Sequence, residues 1–229
     1  MQTEKPYWLS EAYNSAITSQ DVGVIQRNLA TAKLTKQVIL SNFKTTSKFL
    51  DWGGGYGLFT RLMRDMGFDY YHRDPNCKNL FASRFEGHGS GFELITAFEV
   101  LEHLEDPVEA FKDMFTYGDS ILFTQELIPK TSINNWWYLS PEHGQHIAFY
   151  SEKSLSVIAE KMHANIISKN NVHLMTKKRG RVRLYTMRES PIRRVIKKII
   201  NRFNYHILRR PRITPLTGKD FRESRGGQQ

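Results

Sequence analysis

The chain has 229 residues, enough for one domain with additions, and 40% of them are hydrophobic, enough for a sizeable core. It has no apolar run of about 18 residues, which excludes a membrane-spanning helix of the usual kind. Its single cysteine, Cys77, excludes an intrachain disulfide. The opening Met1-Gln-Thr-Glu-Lys-Pro6 lacks a signal-peptide core, so a reducing cytoplasm is the expected compartment. The net charge of +10 is uneven: residues 177–229 hold 17 Lys and Arg against 3 Asp and Glu, whereas residues 1–176 hold 16 against 20. A nucleic-acid enzyme more often carries basic charge around its cleft, so nucleic acid is the lesser expectation for a partner.

In chain order, residues 6–46 read as two helices. Tyr7, Trp8, Tyr13 and Ile17 mark the first, and Ile25, Leu29, Leu34, Val38 and Leu40 mark the second, over Val24 to Phe43. Lys48-Phe-Leu-Asp-Trp-Gly-Gly-Gly-Tyr-Gly57 then ends an apolar run in a glycine turn. From Leu58 the apolar residues Leu58, Phe59, Leu62, Met63 and Met66 fall on one helical face. Glycine allows positive φ and close approach of a ligand to the backbone, and the amides of a helix start lie beside the turn. A second apolar run, Phe68 to Tyr71, leads to Asp74, the acid about 20 residues on that bonds a ribose hydroxyl in dinucleotide-type sites.

Residues 76–91 are short and glycine-rich, with Leu80, Phe81 and Phe85 as a candidate third strand. Phe92 to Phe98 is a strand, followed by Glu99-Val-Leu-Glu-His-Leu-Glu-Asp-Pro107 and a helix over Val108 to Phe115. Gly118 to Thr124 is the next strand, and the alternation argues for a mostly parallel α/β sheet. Residues 125–150 are irregular, with Trp136, Trp137, Tyr138, His143 and His146, and suit a lid or an acceptor pocket. Ser151 caps a helix running to about His163. Ala164 to Ser168 and Arg181 to Met187 read as the final strand pair, with Lys177–Arg181 as the hairpin between them.

The Asp51-x-Gly53-x-Gly55-x-Gly57 turn, Phe92–Pro107 and Pro141-Glu-His-Gly-Gln-His-Ile-Ala-Phe-Tyr-Ser151 together resemble the class I S-adenosylmethionine-dependent methyltransferases of the bacterial ubiquinone-biosynthesis-like and sugar-tailoring type. The resemblance covers about residues 48 to 187. It implies a Rossmann-like seven-stranded, mostly parallel sheet with an antiparallel last strand. On that reading residues 1–46 are a helical cover, 47–188 the methyltransferase domain and 189–229 a basic helix and tail. S-adenosylmethionine is the implied methyl donor, held by Asp51, Gly53, Gly55, Gly57, Asp74 and Phe98. Arg27 is a candidate partner for its methionine carboxylate, and Phe85 a candidate for packing on its adenine. Glu99, Glu102 and His103 match an E-x-x-E-H arrangement that binds a divalent cation, here Mg²⁺, in some ubiquinone-pathway relatives. The same string occurs in relatives without a metal.

Methyl transfer to oxygen needs alignment and a base, and histidine suits that task near neutral pH. His103, His143 and His146 are the candidates. The expected acceptor is a hydroxyl of a small molecule such as a sugar, including a nucleotide- or lipid-linked unit of a surface polysaccharide. The alternatives are a quinone or lipid phenol, an RNA, or a non-catalytic cofactor-binding partner domain. In the tail, Ile192, Val195, Ile196, Ile199, Ile200, Phe203 and Ile207 share one helical face, opposite Arg193, Arg194, Lys197, Lys198 and Arg202. That stretch, 191–210, reads either as a peripheral membrane contact at the inner membrane face or as an apolar face packed on its own domain or on a second copy in a homodimer.

Overall fold

The computed structural model describes residues 22–134, 136–139 and 145–184. The expected first helix of the cover, His143 and the basic tail lie outside the described residues. The elements in order are α1 (Val24–Asn42), β1 (Lys48–Trp52), α2 (Leu58–Asp65), β2 (Asp69–Arg73), β3 (Leu94–Ala97), a 3-10 turn (Leu101–His103), α3 (Pro107–Tyr117), β4 (Ser120–Thr124), a second 3-10 turn (Trp137–Leu139), α4 (Glu152–Lys161), β5 (Asn165–Lys169) and β6 (Val172–Thr176).

These strands form one six-stranded sheet in the order β2-β1-β3-β4-β6-β5. β1 to β4 are mutually parallel, and β6 runs antiparallel to both of its neighbours. The central strands are apolar on both faces because helices cover both. Side-chain alternation sorts them into two cores. Leu50, Ile95, Ile121, Phe123 and Met175 pack against Phe111 and Met114 of α3 and Leu155, Ile158 and Ala159 of α4. Phe49, Leu94, Leu122 and Leu174 pack against Leu34, Val38 and Ile39 of α1 and Phe59 and Met63 of α2. Local chemistry sets the helix starts. The Asp106 side chain accepts from the amides of Val108 and Glu109 ahead of α3, with Pro107 in the first turn. Ser151 and Ser154 form a reciprocal capping box at α4. Among the described residues, no helix is long and apolar enough to cross a membrane.

Seven strands were expected, and the described residues contain six. The candidate third strand is reduced to one bridge between His72 and Glu86, because the segment before it folds into turns: Asn79 Oδ1 accepts from the Ala82 amide at 2.9 Å and the Ala82 carbonyl from the Phe85 amide at 2.8 Å. The final strand pair also turns earlier than expected. Asn170, at φ 56°, with Asn171 makes the hairpin, and Val172–Thr176 is the buried partner strand. Asparagine tolerates the left-handed region and closes the turn without glycine. Residues 181–184 lie outside the sheet. There Asn42 at the end of α1 donates to the Arg183 carbonyl at 2.8 Å and accepts from the Arg183 amide at 2.7 Å, tying the segment to α1.

Candidate active site

The sheet brings the chemistry-bearing residues to the carboxyl ends of its parallel strands. The chain leaves β1 toward β2 on one side and returns past it to β3 on the other. The crevice at such a reversal is where open α/β sheets bind ligands. The glycine turn fills the β1 side of it. The Gly53 amide donates to the Arg73 carbonyl at 2.8 Å, tying the turn to the end of β2. A Cβ at Gly53 would lie 2.8 Å from Val100 Cγ2, so the loop after β3 packs directly on the turn. Gly55, at φ +55°, has none of the described residues within 4 Å of where a Cβ would sit, and its amide donates to Asp74 Oδ2 at 2.9 Å. The turn therefore has a held backbone and an open face.

Asp51 lies beneath the turn and is 2% exposed. It accepts from Thr96 at 3.0 Å and from Thr60 at 3.2 Å. Burial pushes its carboxyl up from 3.8 to about 7, with His72 and the two hydroxyls pulling the other way. The native state thus keeps a proton that the unfolded chain has already lost. The stability so contributed is complete below pH 3.8 and is lost as pH rises through about 7. Over about pH 5 to about pH 7, where Glu102 adds a fall of the same sign, Asp51 should contribute at most about 1.4 kcal/mol per pH unit to the loss of stability in urea unfolding, and Asp51→Asn should lessen the slope by that amount. Equal slopes in the two proteins would show that Asp51 is not the source.

The β3 side is built from residues 98–103 and 145–150. Phe98 sits edge-on to Phe59 at 5.0 Å. Glu99 has φ 56°, a strained conformation for a non-glycine residue. It is held there by Thr124 at the end of β4, whose hydroxyl accepts from the Glu99 amide at 3.0 Å and donates to its carboxylate at 2.8 Å. The Glu102 carbonyl accepts from the amides of Ile147 at 2.8 Å and Ala148 at 3.0 Å. The Tyr150 hydroxyl donates to the Leu101 carbonyl at 2.9 Å.

These bonds bring two of the three candidate histidines together. The His103 and His146 rings lie 5.1 Å apart at 72°. His103 Nδ1 is 2.9 Å from the Gln145 carbonyl, and His146 Nδ1 is 2.6 Å from the Tyr138 carbonyl. A carbonyl only accepts, so each Nδ1 carries a proton, and only Nε2 of each ring is left to act toward the carboxylate of Glu102. Glu102, 1% exposed, lies beside them with Oε2 unpartnered among the described residues. Burial, helped by Glu99, pushes its carboxyl up to about 8, while Arg27 acts in the opposite sense. That influence puts Arg27 of α1 within electrostatic reach of this side of the crevice. Burial and the two glutamates hold the Tyr138 hydroxyl far above its ordinary value, as a neutral group.

Glu102, His103 and His146 offer one ligand atom each within 4.8 Å of one another, so they could hold a metal ion. Of the Glu99, Glu102 and His103 set implied by the sequence motif, Glu99 stands outside this group and bonds Thr124. Two imidazoles and one carboxylate suit a Zn²⁺-type ion better than Mg²⁺, which prefers oxygen ligands. Phe85 has one ring face taken by the Arg64 guanidinium, 3.4 Å from its centroid. Sequence reasoning missed the proximity of His146 to Glu102, and also His72, whose Nε2 lies 2.9 Å from the Gly55 carbonyl. The one available signal for His72 was its place two residues before Asp74, on the same strand face.

Fold and site define a doubly wound α/β domain with a ligand cradle at its reversal point. The chain belongs to the methyltransferase-domain family, whose profile matches residues 25–169. The class I resemblance of its sequence implies S-adenosylmethionine as the ligand of that cradle. The turn fits such a ligand: Gly55 presents an open backbone face, and each Asp74 oxygen uses only one lone pair on a backbone amide, from Gly55 and Asn76.

No curated protein matches the chain. Among solved structures it is similar to Haemonchus contortus phosphoethanolamine N-methyltransferase 2 in complex with S-adenosyl-L-methionine, with 14% identity and a TM-score of 0.51 over 87% of this chain and 47% of that one. The same enzyme with phosphomonomethylethanolamine and S-adenosylhomocysteine gives 17% identity and a TM-score of 0.49, over 62% and 38%. Human N-acetylserotonin methyltransferase in complex with S-adenosylmethionine gives 16% and 0.48, over 69% and 53%. The chain thus matches about half the length of these proteins or less.

Proposed function

We propose that this methyltransferase acts on a hydroxyl oxygen of a small molecule, and that the acceptor is a sugar or sugar-linked unit. The observation that carries this reading is the convergence of His103 and His146, rings 5.1 Å apart, each oriented by an Nδ1–H bond to a backbone carbonyl. An oxygen acceptor must lose a proton as it attacks, and an imidazole lone pair takes it. Bound S-adenosylmethionine supplies an electrophilic methyl on a positively charged sulfur. The turn from Gly53 to Gly57 and Asp74 hold and orient that donor, and Arg27 pairs with its carboxylate. Val100 against Gly53 brings the donor side and the histidine side together. Trp136 tilts against Tyr138 and Phe149 at 5.3 and 5.7 Å, and Trp137 is 58% exposed. An exposed flat ring beside the crevice suits a sugar face or another ring.

The test uses the full chain, ¹³C-methyl-labelled donor and a panel of nucleotide sugars, lipid-linked sugars, phenols and amines, with products read by NMR. A methoxy carbon on a sugar is the expected result. A methyl appearing only on nitrogen would overturn the oxygen reading, and a methoxy confined to phenols would move the acceptor to the quinone or lipid-phenol class.

A further inference from the structure

We propose that His72 positions the donor-binding turn by donating a hydrogen bond from Nε2 to the carbonyl of Gly55, so that its loss weakens donor affinity without removing the chemistry. The proposal rests on the donor occupying the glycine turn, and its geometry is independent of the histidine pair across the crevice. His72 Nε2 is 2.9 Å from the Gly55 carbonyl oxygen, and because a carbonyl only accepts, that nitrogen carries a proton. Two residues on, Asp74 Oδ2 accepts from the Gly55 amide at 2.9 Å. One residue is therefore gripped at both its amide and its carbonyl by the end of a single strand. Gly55 is also the position with φ +55° and an open side. Glycine is the residue with most conformational freedom to lose, so a glycine that must present its backbone to a ligand gains most from such a clamp.

The clamp is itself fixed. His72 is 1% exposed. Its amide donates to the Phe85 carbonyl at 2.7 Å, and its carbonyl accepts from the Gly87 amide at 2.7 Å, which extends pairing beyond the far side of β2. Its Nδ1 faces Glu86 Oε2 at 3.5 Å, and Asn79 holds that carboxylate by donating to Oε1 at 2.8 Å. Gly54 fits above the ring because a Cβ there would stand 2.8 Å from His72 Cδ2. Asn79, Glu86, His72 and Gly55 thus form one chain of contacts from the 76–91 segment to the turn.

The experiment measures S-adenosylhomocysteine affinity by calorimetry on the full chain, together with donor KM, kcat and unfolding midpoint. Wild type is compared with His72→Gln, His72→Asn and His72→Leu. The glutamine amide nitrogen can take the place of the ring Nε2, whereas the asparagine amide stops short at the place of Nδ1. A single hydrogen bond of ordinary strength predicts that His72→Leu and His72→Asn weaken binding about tenfold. Donor KM should rise in step, kcat should stay within about twofold, and His72→Gln should restore most of the affinity. A purely structural role would lower the unfolding midpoint in all three variants without separating Gln from Asn. Equal affinities of Gln and Asn, or of Leu and wild type, would overturn the proposal, and the Gln–Asn pair decides it if the leucine variant does not fold. Failure of wild type itself to bind the ligand would overturn the donor-site reading instead.

Discussion

His146→Ala should slow methyl transfer by about 10²–10⁴, the range for loss of a general base, while leaving donor affinity within about threefold, less than one ordinary hydrogen bond. His146 reaches the crevice on a segment sewn to the loop after β3 through the Glu102 carbonyl and the amides of Ile147 and Ala148. Its tautomer is set by the Tyr138 carbonyl at 2.6 Å. His103→Ala should cost less if His146 is the base, and more if the roles are reversed. Either way the two variants should differ. Single-turnover rates at saturating donor separate chemistry from binding, and a chelator in both arms removes any ion held by the Glu102, His103 and His146 group. Full turnover in both variants and in His143→Ala would leave alignment alone as the catalytic device and remove the imidazoles from the mechanism.

Asp74→Ala should weaken the donor at least tenfold, since charge-assisted hydrogen bonds contribute about 1.5–3 kcal/mol. The carboxylate also accepts from Gly55 and Asn76, so the alanine variant loosens the turn as well as losing the ribose contact. Asp74→Asn separates the two effects. Its amide oxygen keeps one backbone bond, but its NH₂ cannot accept from a hydroxyl. Donor affinity should fall in both variants, and the unfolding midpoint should fall more in the alanine variant. Unchanged calorimetric affinity in Asp74→Ala would remove Asp74 from the donor site.

Much of the fold was legible because local chemistry and tertiary packing agree there. The apolar run before Asp51, the glycine spacing and the helical face from Leu58 lead directly to β1, the turn and α2. Pro107 in a first turn and Ser151 as a cap announce α3 and α4. The last strands were misread because two turn signals compete. Lys177-Lys-Arg-Gly180 looks like a hairpin, yet Asn170-Asn171 closes it. That choice buries Val172, Leu174 and Met175, which the later hairpin would not pair in this register. Burial across the sheet outweighs turn composition.

The site divides in the same way. By itself the sequence determined that the glycine turn and Asp74 meet, since Gly53, Gly55, Gly57 and Asp74 are separated by one short strand–turn–helix–strand unit whose geometry follows from local rules. The acceptor side was decided only by tertiary structure. Glu99 turns to Thr124, 25 residues away in sequence, and His103 meets the carbonyl of Gln145, 42 residues away. His146 replaces Glu99 beside Glu102 because main-chain bonds between two loops set which side chains converge. Residue spacing encodes contacts within one element or turn. It carries no information about which lone pair faces which proton across a crevice closed by separate strands.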